Sequence, residues 1–346
     1  MSRRIEIIKN LIPCAKKMLS LSASEESYYP DCPHKSRIRK LSDLSVWLFK
    51  YKEINDFYYL YGFDTAVSKD DMFQYLDYRR FKRIRSQGNK NGTNSSQVVL
   101  LRDKFLFYQF LSLFHHPVPE VFAARINKQL VDNKMAPVSK SVLQRKENYF
   151  AKEIDGECGE HVKKIKTYDD LCQFMTEIQD RDFILQECVE QHRDLSRLNP
   201  HSVNTIRMVT VMRPDGPKLF AAFLRIGTAD SRERDNTSQG GIAAGIQEDG
   251  SLMEYGFRKP EFGGRTRIHP DTRVEFASFT VPFYREAIAA ACEAHKLFYR
   301  VRSIGWDIAI TESGPVFIEG NDNWELQTIQ ALYGGQRKKL NELFYE

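Results

Sequence analysis

Residues 305–321 constrain the fold of this chain more than any other stretch. Ile304 to Thr311 and Pro315 to Glu319 are strand-like runs separated by Glu312-Ser313-Gly314, a hairpin signal. Folding at Ser313 brings both far ends to the same side of a sheet. Asp307 then opens one strand, while Glu319 and Asn321 close its partner and, two residues apart, share one face. Two carboxylates and an amide oxygen form a set of hard oxygen donors suited to magnesium, which also takes phosphate oxygens and water. Solvated acids at an ordinary hairpin end would give the same pattern, so other segments must decide.

A second segment is Tyr149-Phe150-Ala151-Lys152-Glu153-Ile154-Asp155-Gly156-Glu157-Cys158-Gly159. Lys152 sits on an apolar strand that enters a loop containing Gly156 and Gly159. Such a lysine can point at a phosphate while backbone N–H groups of the loop close over it. No GK[ST] follows, so this is not a Walker A loop; an edge-strand lysine before an ordinary turn is the alternative. A third segment is Leu101-Arg102-Asp103-Lys104-Phe105, at the start of a helix predicted over 101–114. Asp103 can cap that helix. Lys104 falls in its first turn, where the dipole disfavours a cation unless an anion is close.

Around these segments the chain changes texture. Residues 1–98 read as mostly helical, with an aromatic stretch over 44–61 and a near-helical period over 70–85 that ends in the basic run Arg79-Arg80-Phe81-Lys82-Arg83-Ile84-Arg85. Such runs are usually a solvated face. Residues 86–96 are rich in Gly, Asn and Ser and read as a linker. Beyond it, strands are expected at 149–154, 161–166, 183–189, 205–212 and 219–226, with helices at 168–179 and 282–299. A boundary therefore falls at 98. Arg207 and Arg225 stand inside apolar strands, each either aimed into a cleft or paired with an acid on a neighbouring strand. His201 and His269 read as structural or surface residues.

The ordered set resembles the ATP-grasp superfamily. It comprises Asp103-Lys104 before a helix, Pro117-Val118-Pro119-Glu120 after it, the Lys152 strand with its glycine loop, the apolar strand Phe183-Ile184-Leu185-Gln186-Glu187, and Asp307 ahead of Glu319-Gly320-Asn321. Through 201–211 and Gly240-Gly241-Ile242 it is similar to the sugar-transfer-associated ATP-grasp family. The resemblance covers roughly 98–330. It implies an α+β fold in which two subdomains, 99–185 and 186–346, clasp ATP, preceded by the helical region 1–98. It assigns Lys104 and Lys152 to the nucleotide phosphates, Gly156 to Gly159 to a lid loop, and Gln186, Glu187 and Val189 to the adenine hinge. Glu190 or a neighbour takes the ribose, and Asp307, Glu319 and Asn321 bind Mg2+. Asn236, Gly240 and Gly241 fall to the acceptor, with Arg207 and Arg225 facing it. Asp322-Asn323-Trp324 follows the metal asparagine, where many members have arginine or proline, so the acceptor is not readable.

The implied activity is that of an ATP-dependent carboxylate–amine ligase working through an acyl phosphate on a sugar, peptide or polysaccharide precursor. A kinase of a hydroxyl substrate, or a non-catalytic ATP-binding partner of sugar-transfer enzymes, are the rivals. Composition agrees with a globular protein of this kind. The 346 residues exceed one small core, and a net charge of +5 is too mild to imply nucleic acid. The longest apolar runs are too short to span a bilayer. Charged residues interrupt the first twenty positions, so an amphipathic packed helix bearing Ile5, Ile8, Leu11, Ile12, Ala15 and Leu19 is expected there rather than a leader. Six scattered cysteines point to a reduced, cytosolic chain with mostly buried thiols.

Overall fold

A computed structural model describes residues 2–65, 69–91, 95–139, 143, 148–156, 161–231 and 235–345; side chains at 2–12, 69–70, 87–91, 95 and 345 are outside that description. The chain forms two compact units that do not follow chain order: Met1–Ile84 with Phe223–Thr280 and Glu325–Glu346, and Arg85–Ala222 with Val281–Trp324.

The second unit carries a five-stranded antiparallel sheet. Its strands are β1 (Val121–Ile126), β2 (Gln129–Val131), β3 (Tyr149–Glu153), β4 (Val162–Ile165) and β5 (Phe183–Glu187), in the order β2-β1-β5-β3-β4. Alternation splits the side chains between two faces. Ala123, Ala151 and Leu185 meet Leu171, Phe174 and Ile178, while Ala124 and Ile184 meet Phe105 and Tyr108. The first set comes from α7 (Tyr168–Ile178), started by a capping box between Thr167 and Asp170. The second comes from α6 (Lys104–Leu113), whose N-cap Asp103 accepts from the N–H groups of Phe105 and Leu106 at 2.9 and 2.8 Å.

Also in this unit are β6 (Thr205–Arg213), β10 (Ser303–Thr311) and β11 (Gly314–Asn321), with β10 paired antiparallel to both others. Helix α9 (Tyr284–Leu297) packs on them through a buried polar relay. Trp306 Nε1 donates to Thr210 Oγ1 at 2.8 Å, Thr210 bonds His295 Nδ1 at 2.7 Å, and His295 Nε2 bonds the Val301 carbonyl at 2.8 Å. A carbonyl only accepts, so Nε2 carries the proton and Nδ1 accepts from the hydroxyl. Burial pushes the His295 imidazole down to about 4. With an unfolded value near 6.5, its contribution to stability is complete above that pH and is lost as pH falls toward 4. The loss amounts to about 3 kcal/mol. Urea titrations at successive pH values should therefore show a steeper acid loss for the native protein than for His295→Gln, and equal slopes would refute the buried His295 as the cause.

The first unit contains α1 (Ser2–Ala23), α2 (Arg37–Tyr51) and the short α3 (Lys69–Met72). A cluster of Leu44, Trp47, Tyr58, Tyr61, Phe63, Met72 and Tyr75 forms its core. Strand β7 (Gly216–Ile226) ends in this unit, where residues 223–226 pair with β8 (Ile242–Ile246) and β8 pairs with β9 (Leu252–Phe257). Helix α10 (Gln327–Tyr333) is tied in by Gln330, which bonds Leu76 and Tyr61. Helix α11 (Arg337–Tyr345) closes the chain.

Several expectations are corrected. The helix over 101–114 is two helices, α5 (Ser95–Arg102) and α6, because the Asp103 carboxylate takes the N–H groups that an unbroken helix would pair. The linker over 86–96 is helical as far as Asn91: α4 spans Tyr78–Asn91, propagating from the buried Phe81, Ile84 and Arg85. The helical period over 70–85 breaks after α3, and α4 begins at Tyr78. In α1, Ala15 and Leu19 face solvent and Met18 and Leu21 pack instead, while the side chains of Ile5, Ile8, Leu11 and Ile12 lie outside the described residues. The described cysteines are half-buried free thiols rather than buried ones, and Cys158 lies outside the described residues.

Candidate nucleotide and metal site

Sheet register builds the acidic end of the site. Asp307 on β10 stands opposite Arg207 on β6 and opposite Glu319 on β11, so the three residues form one row across three strands. Arg207 grips Asp307 in a fork: Nε bonds Oδ1, and Nη2 bonds Oδ2 at 3.0 Å. Of the two alternatives for Arg207, the acid on the neighbouring strand is the one observed. Asn321 Nδ2 donates to Glu319 Oε1 at 3.1 Å, which joins the strand-face neighbours.

The electrostatics fit a cation. Asp307 is 1% exposed. Burial raises the Glu319 carboxyl above its ordinary value, and the charge of Asp307 and a hydrogen bond to it raise it further, against the lowering effect of Arg207 and Asn321. A buried and a half-buried carboxylate that resist joint ionisation are relieved by a divalent cation, and their oxygens are the donors magnesium prefers. Among the described residues no three His, Cys, Asp or Glu gather as a metal cluster; the further oxygen beside the two carboxylates is that of the Asn321 amide, whose Nδ2 is bonded to Glu319.

The basic side comes from α6 and β3. Lys104 Nζ donates to the carbonyls of Ile154 and Gly156 at 3.2 and 2.6 Å, pinning the start of the glycine loop. Lys152 Nζ donates to Gln186 Oε1 at 2.6 Å, and Gln186 Nε2 donates to the Pro119 carbonyl at 3.2 Å. Burial lowers the Lys104 ammonium, with Glu319 opposing most. It pushes Lys152 down to about 8, opposed by Glu319 and reinforced by the charge of Lys104. Both lysines thus feel the acidic row. Gly159 and the rest of the loop over 157–160 lie outside the described residues.

Between β5 and α8 (Arg193–Leu198) the hinge is partly committed. Glu187 Oε1 accepts from the Glu120 N–H at 2.9 Å. Gln191 is tied to Asn199, Ser202 and Asn204, and the N–H of His192 donates to the Ile310 carbonyl. Val189 is half-buried and Glu190 is exposed between these anchored neighbours. Arg225, Asn236, Gly240 and Gly241 belong to the other compact unit. Arg225 pairs with Asp235 at 3.4 Å, and Asn236 caps a 3-10 turn by accepting from the Ser238 N–H at 3.1 Å. Gly240 takes φ +97°, a conformation that favours glycine, and a Cβ on Gly241 would stand 2.6 Å from the Asp235 carbonyl oxygen. His201 is exposed, and His269 is buried against the Gly227 carbonyl at 2.9 Å.

Sequence reasoning missed Gln186 as the partner of Lys152 and Arg102 as a residue bound beside Asn321. The direct pairing of Phe150 with Gln186 across β3 and β5 accounts for the first; no local signal pointed to the second. Among the described residues, no helix is long and apolar enough to cross a membrane.

A carboxylate–amide row at a sheet end and two lysines near a glycine loop define an α+β fold of the ATP-grasp class. The family model of sugar-transfer-associated ATP-grasp proteins matches residues 83–342, and the chain belongs to that family. Similar solved structures include the D-alanine–D-alanine ligase of Coxiella burnetii, 11% identical over 70% of this chain and 57% of that one, with a TM-score of 0.41. An L-amino acid ligase of Bacillus licheniformis is 8% identical over 71% and 48%, with a TM-score of 0.42. An ADP complex of N5-carboxyaminoimidazole ribonucleotide synthetase is 12% identical over 75% and 58%, with a TM-score of 0.44. The match thus spans about half to three fifths of the length of these proteins. No curated protein matches the chain.

Proposed function

We propose that the protein is an ATP- and magnesium-dependent carboxylate–amine ligase acting on a sugar, peptide or polysaccharide precursor in the cytoplasm. One observation carries this reading: Lys104, Lys152, Asp307, Glu319 and Asn321 lie in one compact unit, and Glu319 acts electrostatically on both lysines. On this reading residues 99–185 and 186–346 supply the two sides of the nucleotide clasp, after the helical region 1–98. Lys104 and Lys152 hold phosphates, with the Gly156–Gly159 loop over them. The hinge Gln186, Glu187 and Val189 meets adenine, by backbone groups together with Glu187. Glu190 takes the ribose, because Gln191 is committed to its own loop. Magnesium, held by Asp307, Glu319 and Asn321, supplies charge neutralisation at the transferring phosphoryl group. Arg207 acts through Asp307, holding its carboxylate in the guanidinium fork. Arg225, with Asn236, Gly240 and Gly241, serves the acceptor carboxylate, to which a guanidinium fork is matched.

The carboxylate oxygen attacks the γ-phosphorus and ADP leaves, giving an acyl phosphate; the amine then attacks the carbonyl and inorganic phosphate leaves. Screening small carboxylic acids and cell extract for ADP release finds the substrate. With it, hydroxylamine is expected to yield a hydroxamate, with ADP and phosphate formed in step. A stable phosphate ester without hydroxamate would make the protein a kinase, and ATP binding without turnover would make it a non-catalytic partner of sugar-transfer enzymes.

A further inference from the structure

The three residues after the metal asparagine are held by arginines from two helices. Arg102, at the end of α5, donates from Nε and Nη2 to the two oxygens of Asp322 at 2.8 and 2.9 Å. Arg85, on α4 and 4% exposed, bonds the Trp324 carbonyl through Nη1 and Asn323 Oδ1 through Nη2. Trp324 is anchored in turn by Nε1 to Ser303 Oγ at 3.0 Å. Side chains of α5 and α6 also lie close against the strand itself. A Cβ on Gly320, between Glu319 and Asn321, would lie 2.8 Å from Leu101 Cδ2 and 3.1 Å from Phe107 Cε2.

An ion pair at a solvent rim contributes little to stability, because water screens it. The Arg102 side chain is 58% exposed, so stability does not account well for a two-bond fork at this position. A fork does fix direction, since both oxygens of Asp322 must lie in the guanidinium plane. Asp322 is bonded through the backbone to Asn321, so its orientation sets the exit angle of β11 and with it the Asn321 amide. Groups that orient ligands from behind commonly change metal affinity by roughly 10–100-fold.

We infer that Arg102 and Asp322 form a positioning pair for the cation site, with Arg85 fixing the chain immediately beyond. The inference rests on the nucleotide and magnesium reading above. The same helix junction therefore does two things: Asp103 starts α6 and aims Lys104, while Arg102 aims the metal asparagine.

The test measures the magnesium concentration needed for half-maximal binding of a non-hydrolysable ATP analogue, by calorimetry on the full chain. Wild type, Arg102→Gln, Asp322→Asn, the double variant and Arg102→Lys are compared, with Tm recorded for each. Each of the two neutralising single variants should need roughly tenfold more magnesium. The double variant should be no worse than either, because they remove one interaction. Arg102→Lys should fall between, as it keeps the charge but not the fork. Magnesium midpoints within twofold of wild type in both single variants would overturn the inference, whatever happens to Tm. An absence of magnesium-dependent binding in the wild type would instead overturn the nucleotide reading itself.

Discussion

Glu319→Ala is expected to abolish turnover, by roughly a hundred- to thousandfold or more, and to weaken magnesium-dependent nucleotide binding while the protein remains folded. Glu319 is the centre of the acidic row. It stands opposite Asp307, accepts from Asn321, and is the largest favourable charge for both Lys104 and Lys152. On the proposed reading, its loss removes a cation ligand and a counter-charge of the two lysines together. The expected effect on stability has the opposite sign. Burial and the charge of Asp307 already disfavour the ionised Glu319 in the folded chain. Neutral Glu319→Gln keeps the shape without that penalty, so its Tm should equal or exceed that of wild type. Turnover with the identified acid, together with Tm, decides the matter. Wild-type turnover in Glu319→Ala would remove the site assignment; lost activity with a collapsed Tm in both variants would make Glu319 a folding residue.

What could be read from the sequence was local. The hairpin at Ser313, the capping role of Asp103 and the strand bearing Lys152 each follow from a few adjacent residues, and all three stand in the fold. Pairings set by sheet order were not readable. Arg207 and Asp307 lie 100 positions apart, and only the β6–β10 register makes them partners. Until that register is known, an arginine in an apolar strand fits a cleft as well as an ion pair. Arg85 shows the same limit from the other direction. It ends a basic run whose neighbours Lys82 and Arg83 are exposed, yet it is buried because its acceptors lie on Asn323 and Trp324. Composition misled over 86–91, where Ser, Gly and Asn read as linker. A helix already anchored by Phe81 and Ile84 carries through residues of poor propensity at a cost of a few tenths to about 1 kcal/mol each.

Lys152→Ala is expected to weaken ATP binding by roughly 1.5–3 kcal/mol, about 10- to 150-fold in Kd, the range for a hydrogen bond to a charged group. Its pH dependence separates a phosphate ligand from a residue that only braces the sheet, since β3 is an inner strand between β5 and β4. Burial leaves the Lys152 ammonium at about 8 in the free protein, Glu319 and Cys188 opposing the fall and Lys104 adding to it. A bound phosphate favours the protonated form, so binding below that pH needs no proton. Above it, each binding event must draw a proton from solvent. The affinity constant should therefore be level below pH 8 and fall toward tenfold per pH unit above it, until the lysine of the complex itself titrates. Lys152→Arg keeps its charge throughout the range and should give a profile without that fall. Because Lys152 also donates to Gln186, Tm is measured alongside to register the cost of an unpaired buried amide oxygen. Calorimetric titrations with ATP and saturating magnesium between pH 6.5 and 9.5, a range chosen to bracket the lysine, supply both numbers. Equal affinity in Lys152→Ala, or a profile in Lys152→Arg that falls with pH just as wild type does, would show that Lys152 braces the sheet and leaves the phosphates to other groups.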